Sequence, residues 1–487
     1  MRCTSVLAIS VFAYCCVTSV AADGGDVDYD VDVAIVGAGL SGLAAARDLI
    51  AGGKSVIVLE ARDRVGGRVL NAKLPNGGVT EVGAEFIGPT QDRVIALANS
   101  LGLTTYDTYN NGSNVLWQNN TLTTYATDGP TGAVPPVDIP SLEQVAAAQG
   151  QLDAWAAELD VNAPWSHPSA LEWDSQTMSS WLDTVTTLPS ARFLLEVATT
   201  SIFSAETSEL SLLYAIAYIA SAGNETMVGT LERLTETPNG AQASRINGGT
   251  QLLAIKLAEQ IGSSRVVLNR PVRSVTKSGG RYIVKSDALS VTATNVVIAM
   301  SPPLAARISY DPILPASRDQ LTQRLHMGAL GKAIAIYQTP FWRANNLTGQ
   351  VVSDSGVVRS TFDSSPADGS YGAMMGFIEA DEMRAFDGKS EDDVMSAVLQ
   401  DYVNYFGPQA AEVGSWVIQR WDNEEWSRGG PVAFAPPRVL TQYGQALTTP
   451  FEGIHFAGTE SANYWVGYMD GAIRSGERVA KEILGAM

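Results

Sequence analysis

Apolar positions are grouped unevenly along the chain. Residues 33–36 read VAIV, an unbroken apolar run closed by glycine, and a Leu- and Ala-rich stretch follows at 43–51. A short continuous apolar run bounded by glycine predicts a strand covered on both faces. The pattern therefore predicts a strand at 33–36, a helix at 43–51 and a second strand at 55–59 that ends on Glu60. The same signature returns at the C-terminus. A short apolar strand at 454–457 runs into Gly458-Thr459-Glu460, then an aromatic cluster, a Gly-Tyr-Met-Asp-Gly turn and a helix with small residues on one face. Between these ends the pattern changes. From about 106 to 240 the chain is rich in Thr, Asn, Ser and Pro, with helical periodicity around 142–160 and 190–222. A turn and an amphipathic helix follow (RINGGTQLLAIKLAEQIG), then strand patterns at 265–275 and 291–299. A second insertion fills 306–444. The reading is two interleaved discontinuous domains: 31–105, 240–305 and 445–487 in one, and 106–239 and 306–444 in the other.

The first βαβ unit carries Gly37-x-Gly39-x-x-Gly42 between strand and helix, with Glu60 about 20 residues on, the spacing of a dinucleotide-binding turn. Gly37 allows the tight turn, Gly39 lets the backbone approach a pyrophosphate, and Gly42 lets helix and strand pack closely. The helix N-terminus attracts phosphate, and Glu60 accepts from ribose hydroxyls. This fingerprint alone leaves FAD and NAD both open. The continuation ARDRVGGR (61–68) adds a second glycine pair and a basic residue, Arg68, placed either against phosphate or in a surface ion pair.

Composition narrows the class. Residues 1–22 have the shape of a secretory signal: Arg2, an apolar stretch from Val6 to Val17, and Val20-Ala21-Ala22 before the cut. The only cysteines, Cys3, Cys15 and Cys16, lie inside it. The mature chain would then hold no disulfide, thiolate nucleophile or Cys-linked flavin. Sequons begin at Asn111, Asn119, Asn224 and Asn346, in keeping with secretion and glycosylation. Removing Arg2 with the signal takes the net charge from −19 to −20. That balance argues against nucleic acid; it either steers cationic substrates towards the protein or only keeps a secreted protein in solution. No mature segment reads as a membrane anchor, His167, His326 and His455 are too scattered for a metal site, and the oligomeric state is not legible.

At this point the chain resembles the flavin-containing amine oxidase family, and within it the monoamine oxidase branch. The resemblance is carried by VAIVGAGLSGL, LEARDRVGGR, VGAEFIGPTQDRV, LNRPV, LGKAIAIYQTPFW, PPRVLTQYG and FAGTESANYWVGYMDGAIRSGERVAKEIL. It implies an α/β, two-domain flavoprotein oxidase fold, with a Rossmann-like FAD-binding domain and an α+β substrate domain. It implies FAD, and oxidation of a primary amine to an imine or aldehyde with O2 reduced to H2O2. Position by position, it implies that Gly37, Gly39 and Gly42 hold the pyrophosphate, Glu60 the ribose, and Arg68 the phosphate region. Gly83, Ala84, Glu85 and Phe86 would run beside the flavin, with Trp421 packed near it. Val272 would offer backbone to adenine, Glu460 would meet the ribityl chain, and Met469 would give its N–H to the pyrimidine. Lys332 would hold a water at the flavin and assist O2, and Tyr468 would form one wall of an aromatic cage.

Three departures from the family pattern shape the expected site. Gly430 stands where relatives carry a flavin-bonding cysteine, so FAD is expected to be non-covalent. Pro431 stands where the second cage tyrosine would be, which opens the site to long-chain or bulky amines; Phe434 is a candidate replacement ring. Glu85 meets either a substrate ammonium or a nearby arginine. The stretch GAEFIGPT lacks the arginine that L-amino acid oxidases use for a substrate carboxylate, so amino acids fall behind a polyamine as the alternative substrate.

Overall fold

The computed structural model describes residues 27–127 and 133–485. The signal at 1–22, with its cysteines, lies outside them. The strand that begins the fold, Val27–Val36, is the spine of an eight-stranded sheet. It pairs in parallel with Leu289–Ala299 on one side and with Val56–Leu59 on the other. Both neighbours continue the sheet, so side chains can point only up or down into protein, which is why VAIV is apolar at every position. Val33 and Ile35 face a cluster built with Leu43, Leu49, Leu257 and Val479. Ala34 and Val36 face the opposite cluster, with Val284, Val291 and Phe456. The C-terminal strand Ile454–Ala457 docks in parallel on Leu289–Ala299, so the two ends of the chain meet in one sheet. Strand Ser309–Asp311 falls in the stretch expected to belong to the other domain, yet it pairs with Val272–Ser278 of this sheet.

Helices Leu40–Ala51 and Met469–Leu484 cross on one face of the sheet. Their small residues are what allow the approach. A Cβ on Gly476 would collide with the Ser41 carbonyl, and one on Gly42 with the Gly37 carbonyl. The middle of Met469–Leu484 is thereby set against the first turns of Leu40–Ala51.

A second, seven-stranded sheet holds Leu330–Tyr337 between Gly372–Glu379 and Ser415–Arg420, all antiparallel. Helix Glu391–Phe406, started by a Ser390/Asp393 capping box, covers one side. A helical layer of Ile139–Glu158, Met178–Val185, Pro189–Phe203 and Leu212–Ser221 packs around Trp173, Trp181, Leu195 and Leu213. The helical stretch expected over 190–222 is two helices. Ser204 takes a left-handed conformation (φ 50°) and ends the first, and Ser211 caps the second.

Candidate active site

The Gly-rich turn is built as its spacing requires. Gly37 sits at φ +109°, and a Cβ there would lie 2.6 Å from the Ala299 carbonyl oxygen. The Glu60 carboxylate reaches back to this turn, accepting the N–H of Ala38 at 2.8 Å and that of Arg62 at 3.0 Å. Gly39 is different. The nearest atom to a Cβ there is the Gly66 carbonyl oxygen at 4.0 Å, so the backbone is open to a ligand. Helix Leu40–Ala51 starts at Gly39 without a side-chain cap, which leaves its first N–H groups and positive dipole end free for phosphate. Helix Met469–Leu484 likewise starts at Tyr468 with no side-chain cap. Both starts open on a single cavity of about 510 Å³. Two uncapped helix starts and an open glycine on one cavity fit a dinucleotide cofactor of the kind the sequence implies.

Of the residues singled out from sequence, Gly39, Arg68, Gly83, Ala84, Glu85, Phe86, Lys332, Trp421, Pro431, Tyr468 and Met469 line this cavity, as does Gly430. Gly37, Gly42, Glu60, Val272, Phe434 and Glu460 are not among its lining residues. Gly37, Gly42 and Glu60 shape the turn from behind. Glu460 is buried and its two oxygens are taken by Arg68, at 2.7 and 3.1 Å, with Arg68 also donating to the Pro431 carbonyl at 2.7 Å. Glu460 thus orients Arg68 from behind the wall. Trp421 donates its indole N–H to the Val82 carbonyl at 2.7 Å, which turns its ring onto the cavity.

Phe434 does not complete an aromatic cage. It lies on the two-residue strand Ala433–Phe434 paired with His326–Met327, and is buried in the helical layer's core. The ring that accompanies Tyr468 is Tyr218, from helix Leu212–Ser221. It lines the cavity with its centroid 6.1 Å from that of Tyr468, and is braced by Phe203 at 4.6 Å. A Cβ on Gly467 would strike the Tyr218 ring, so the glycine before Tyr468 makes room for it. The signal available in sequence was the spacing of Tyr214 and Tyr218, one helical turn apart. Nothing local shows that this face meets residue 468.

Lys332 is buried within strand Leu330–Tyr337. Its ammonium lies 2.8 Å from a Glu85 carboxylate oxygen and donates to the carbonyls of Gly83 (2.9 Å) and Glu81 (3.3 Å). Glu85 also faces Arg245 Nε at 3.1 Å and accepts from the Ser364 hydroxyl. Arg245 in turn pairs with Glu81. Two carboxylates and two cations are thus shut together out of water. Burial pushes the Glu85 carboxyl up, but Lys332 and Arg245 outweigh it and hold the group below the usual range. For Glu81 burial wins over Arg245, and the group titrates above the usual range. Of the two roles open to Glu85, the ion pair is the one seen, with Lys332 and Arg245 as partners. Arg245 was not singled out from sequence, because its partners lie more than 150 residues away in the chain.

Among the described residues no group of three or more His, Cys, Asp or Glu could hold a metal ion, and no helix is long and apolar enough to cross a membrane. His455 bonds Glu482 at 2.8 Å.

Comparison with known proteins agrees with this geometry. The family model for flavin containing amine oxidoreductases matches residues 40–484. The Mycobacterium tuberculosis protein AofH, named as a flavin-containing monoamine oxidase, is 39% identical over 455 residues, 93% of this chain and 97% of that protein. The human amine oxidase [flavin-containing] B is 35% identical, covering 94% of this chain and 86% of its own length. Among solved structures, a putrescine oxidase bound to putrescine superposes with a TM-score of 0.88 at 32% identity over 94% of this chain and 100% of its own. Cyclohexylamine oxidase from Brevibacterium oxydans does so at the same TM-score and identity, over 94% of this chain and 99% of its own. The chain is a member of the flavin-containing amine oxidoreductase family, an FAD enzyme of mixed α/β fold that oxidises amines.

Proposed function

We propose that the chain oxidises primary amines, with a preference for long-chain or bulky ones, to the imine and then the aldehyde, with O2 reduced to H2O2. The observation that carries this reading is the lining of the cavity. It joins the two helix starts, Lys332, Tyr468 and Tyr218 with apolar side chains that include Leu194, Leu195 and Ile202. Bound FAD would supply the two-electron acceptor for the amine and return those electrons to O2.

The residues' own contributions follow from their placement. Gly39 and the first amides of helix Leu40–Ala51 would take the pyrophosphate, and the start of Met469–Leu484 would favour negative charge on the flavin ring. Tyr468 and Tyr218 narrow the space in front of the reacting carbon, orient the amine and exclude water. The apolar wall receives an alkyl chain by burial, at about 0.8 kcal/mol for each methylene removed from water. Both arginines on the cavity wall are paired, Arg68 with Glu460 and Arg62 with Glu424 at 2.9 Å, which leaves neither free for the carboxylate of an amino acid. The signal at 1–22 and the four sequons support a secreted glycoprotein.

The test is H2O2 release by the FAD-loaded protein across n-alkylamines, benzylamine, straight-chain diamines and L-amino acids. Turnover rising with alkyl length is the expected result. Activity confined to amino acids would refute the proposal.

A further inference from the structure

Glu379 is a buried carboxylic acid on the cavity wall that the reading above does not use. It is 5% exposed; among the described residues one of its oxygens, itself shut off from water, has no hydrogen-bond partner, and the other is approached only by the Ser201 hydroxyl at 3.4 Å. The guanidinium near it, Arg359, is already paired with Glu382. Burial pushes the Glu379 carboxyl well above the usual range, as an acid without a counter-ion requires. A buried acid with an empty oxygen is normally selected against, because desolvation without a compensating bond is costly.

Strand register says where this group stands. Lys332 is directly opposite Phe377, and Leu330 opposite Glu379; Ser360 is opposite Phe377 on the far side. Residues in one cross-strand row project from the same face, and so do rows two residues apart. Leu330, Lys332, Ser360, Phe377 and Glu379 all line the same cavity accordingly. Glu379 is therefore one row from Lys332, about 7 Å along the strands. The two ionisable groups on this face differ in state. Lys332 is fully paired, whereas Glu379, on the same cavity wall, forms no ion pair with the described residues.

We propose that Glu379 is the recognition point for a second, cationic amino group of the substrate, so that the preferred primary amines are aliphatic diamines. The inference rests on the primary-amine reading and specifies its substrate. The distal ammonium supplies the missing counter-ion, and Ser201 and Ser360, whose hydroxyls are 3.1 Å apart, border the same place. The reacting amine is neutral when it is oxidised and the distal one stays protonated, so one molecule meets two different ends of the cavity. The net charge of −19 favours the approach of such a dication.

The test compares the FAD-loaded wild type with Glu379→Gln and Glu379→Leu on straight-chain α,ω-diamines and on n-alkylamines of matching length. Expected is a loss of about tenfold to a hundredfold in kcat/KM for diamines, the scale of one charge-assisted hydrogen bond. Monoamines should stay within about twofold or improve in Glu379→Leu, which removes a buried acid from the path of an apolar chain. Glu379→Gln keeps the shape of the side chain, so it decides the matter even if the Leu variant fails to fold. Equal losses on both substrate series, or none on either, overturn the assignment. A wild type that oxidises monoamines well but diamines poorly overturns it too while leaving the primary-amine reading intact. One that oxidises neither sinks both.

Discussion

Lys332 Nζ lies 2.8 Å from Glu85 Oε2, and both side chains are under 5% exposed. This pair makes Lys332 a structural residue as well as a candidate for the oxygen half-reaction. Its ammonium is committed to Glu85 and to the carbonyls of Gly83 and Glu81, on the segment that runs past the cavity. Removing one member of a buried pair leaves an uncompensated charge and costs about 3–5 kcal/mol, whereas removing both leaves far less to compensate. Lys332→Met should lower the denaturation midpoint, and adding Glu85→Gln should restore part of the loss. Stability of the two single variants and the double variant forms the check; strictly additive losses would show that the pair does not couple. In stopped-flow, Lys332→Met should slow reoxidation by O2 by about 10²-fold or more, well beyond its effect on anaerobic reduction.

Tyr218 is expected to matter where Phe434 does not. Tyr218→Leu should change the ratio of kcat/KM for long and short amines, because it removes one of two neighbouring rings on the cavity wall. Phe434→Ala should lower stability by about 3–5 kcal/mol, as for any fully buried Phe, and leave that ratio alone in whatever protein stays folded. Parallel kinetics on a long alkylamine and benzylamine separate the two; an unchanged ratio in Tyr218→Leu removes it from the substrate path.

FAD should leave the protein intact on acid precipitation. The described residues contain no cysteine, and Gly430 stands on the cavity wall where an attachment point is expected. Yellow flavin retained in the pellet would contradict non-covalent binding.

Asp401 provides a pH test of stability. It is buried on helix Glu391–Phe406 and accepts the N–H groups of Val357 and Val358 at 2.8 and 3.0 Å. Burial pushes its carboxyl up to about 6, against the pull of those two bonds, from 3.8. A raised carboxyl stabilises the fold fully only below its unfolded value, and the contribution is lost as pH rises through about 6. Asp401→Asn keeps the acceptor and removes the titration. Its melting temperature should therefore gain on the wild type between pH 4 and pH 7, and a constant difference over that range would count against the assignment.

The sequons should divide by accessibility if the chain is secreted. Asn119 and Asn346 are exposed at turns with positive φ, and Asn111 is exposed as well. The Asn224 amide is turned inward, donating to Asp92 at 2.8 Å and accepting from Thr226 and Met227. Glycopeptide mapping of protein from a secreting eukaryotic host should find glycan on the first three and leave Asn224 bare.

What the sequence determined by itself is whatever depends on neighbours a few residues apart. The strand–glycine–helix unit, Glu60 at its end, and the Gly458-to-Met469 junction were legible because turn geometry and burial on both faces act locally on residue type. The family motifs extended this to part of the cavity wall, including Arg68, Glu85, Lys332 and Tyr468. Tertiary structure alone decided which groups face one another. Glu85 meets Arg245 and Lys332, Tyr468 meets Tyr218 rather than Phe434, and Glu379 forms no ion pair among the described residues, since Arg359 is taken by Glu382. Alternation along a strand tells which residues share a face, but not what is packed opposite. That is set by chain segments a hundred or more residues away, whose approach depends on the whole core. For the same reason the break at Ser204 and the placement of Ser309–Asp311 in the first sheet escaped the pattern: each is fixed by contacts beyond the reach of local periodicity.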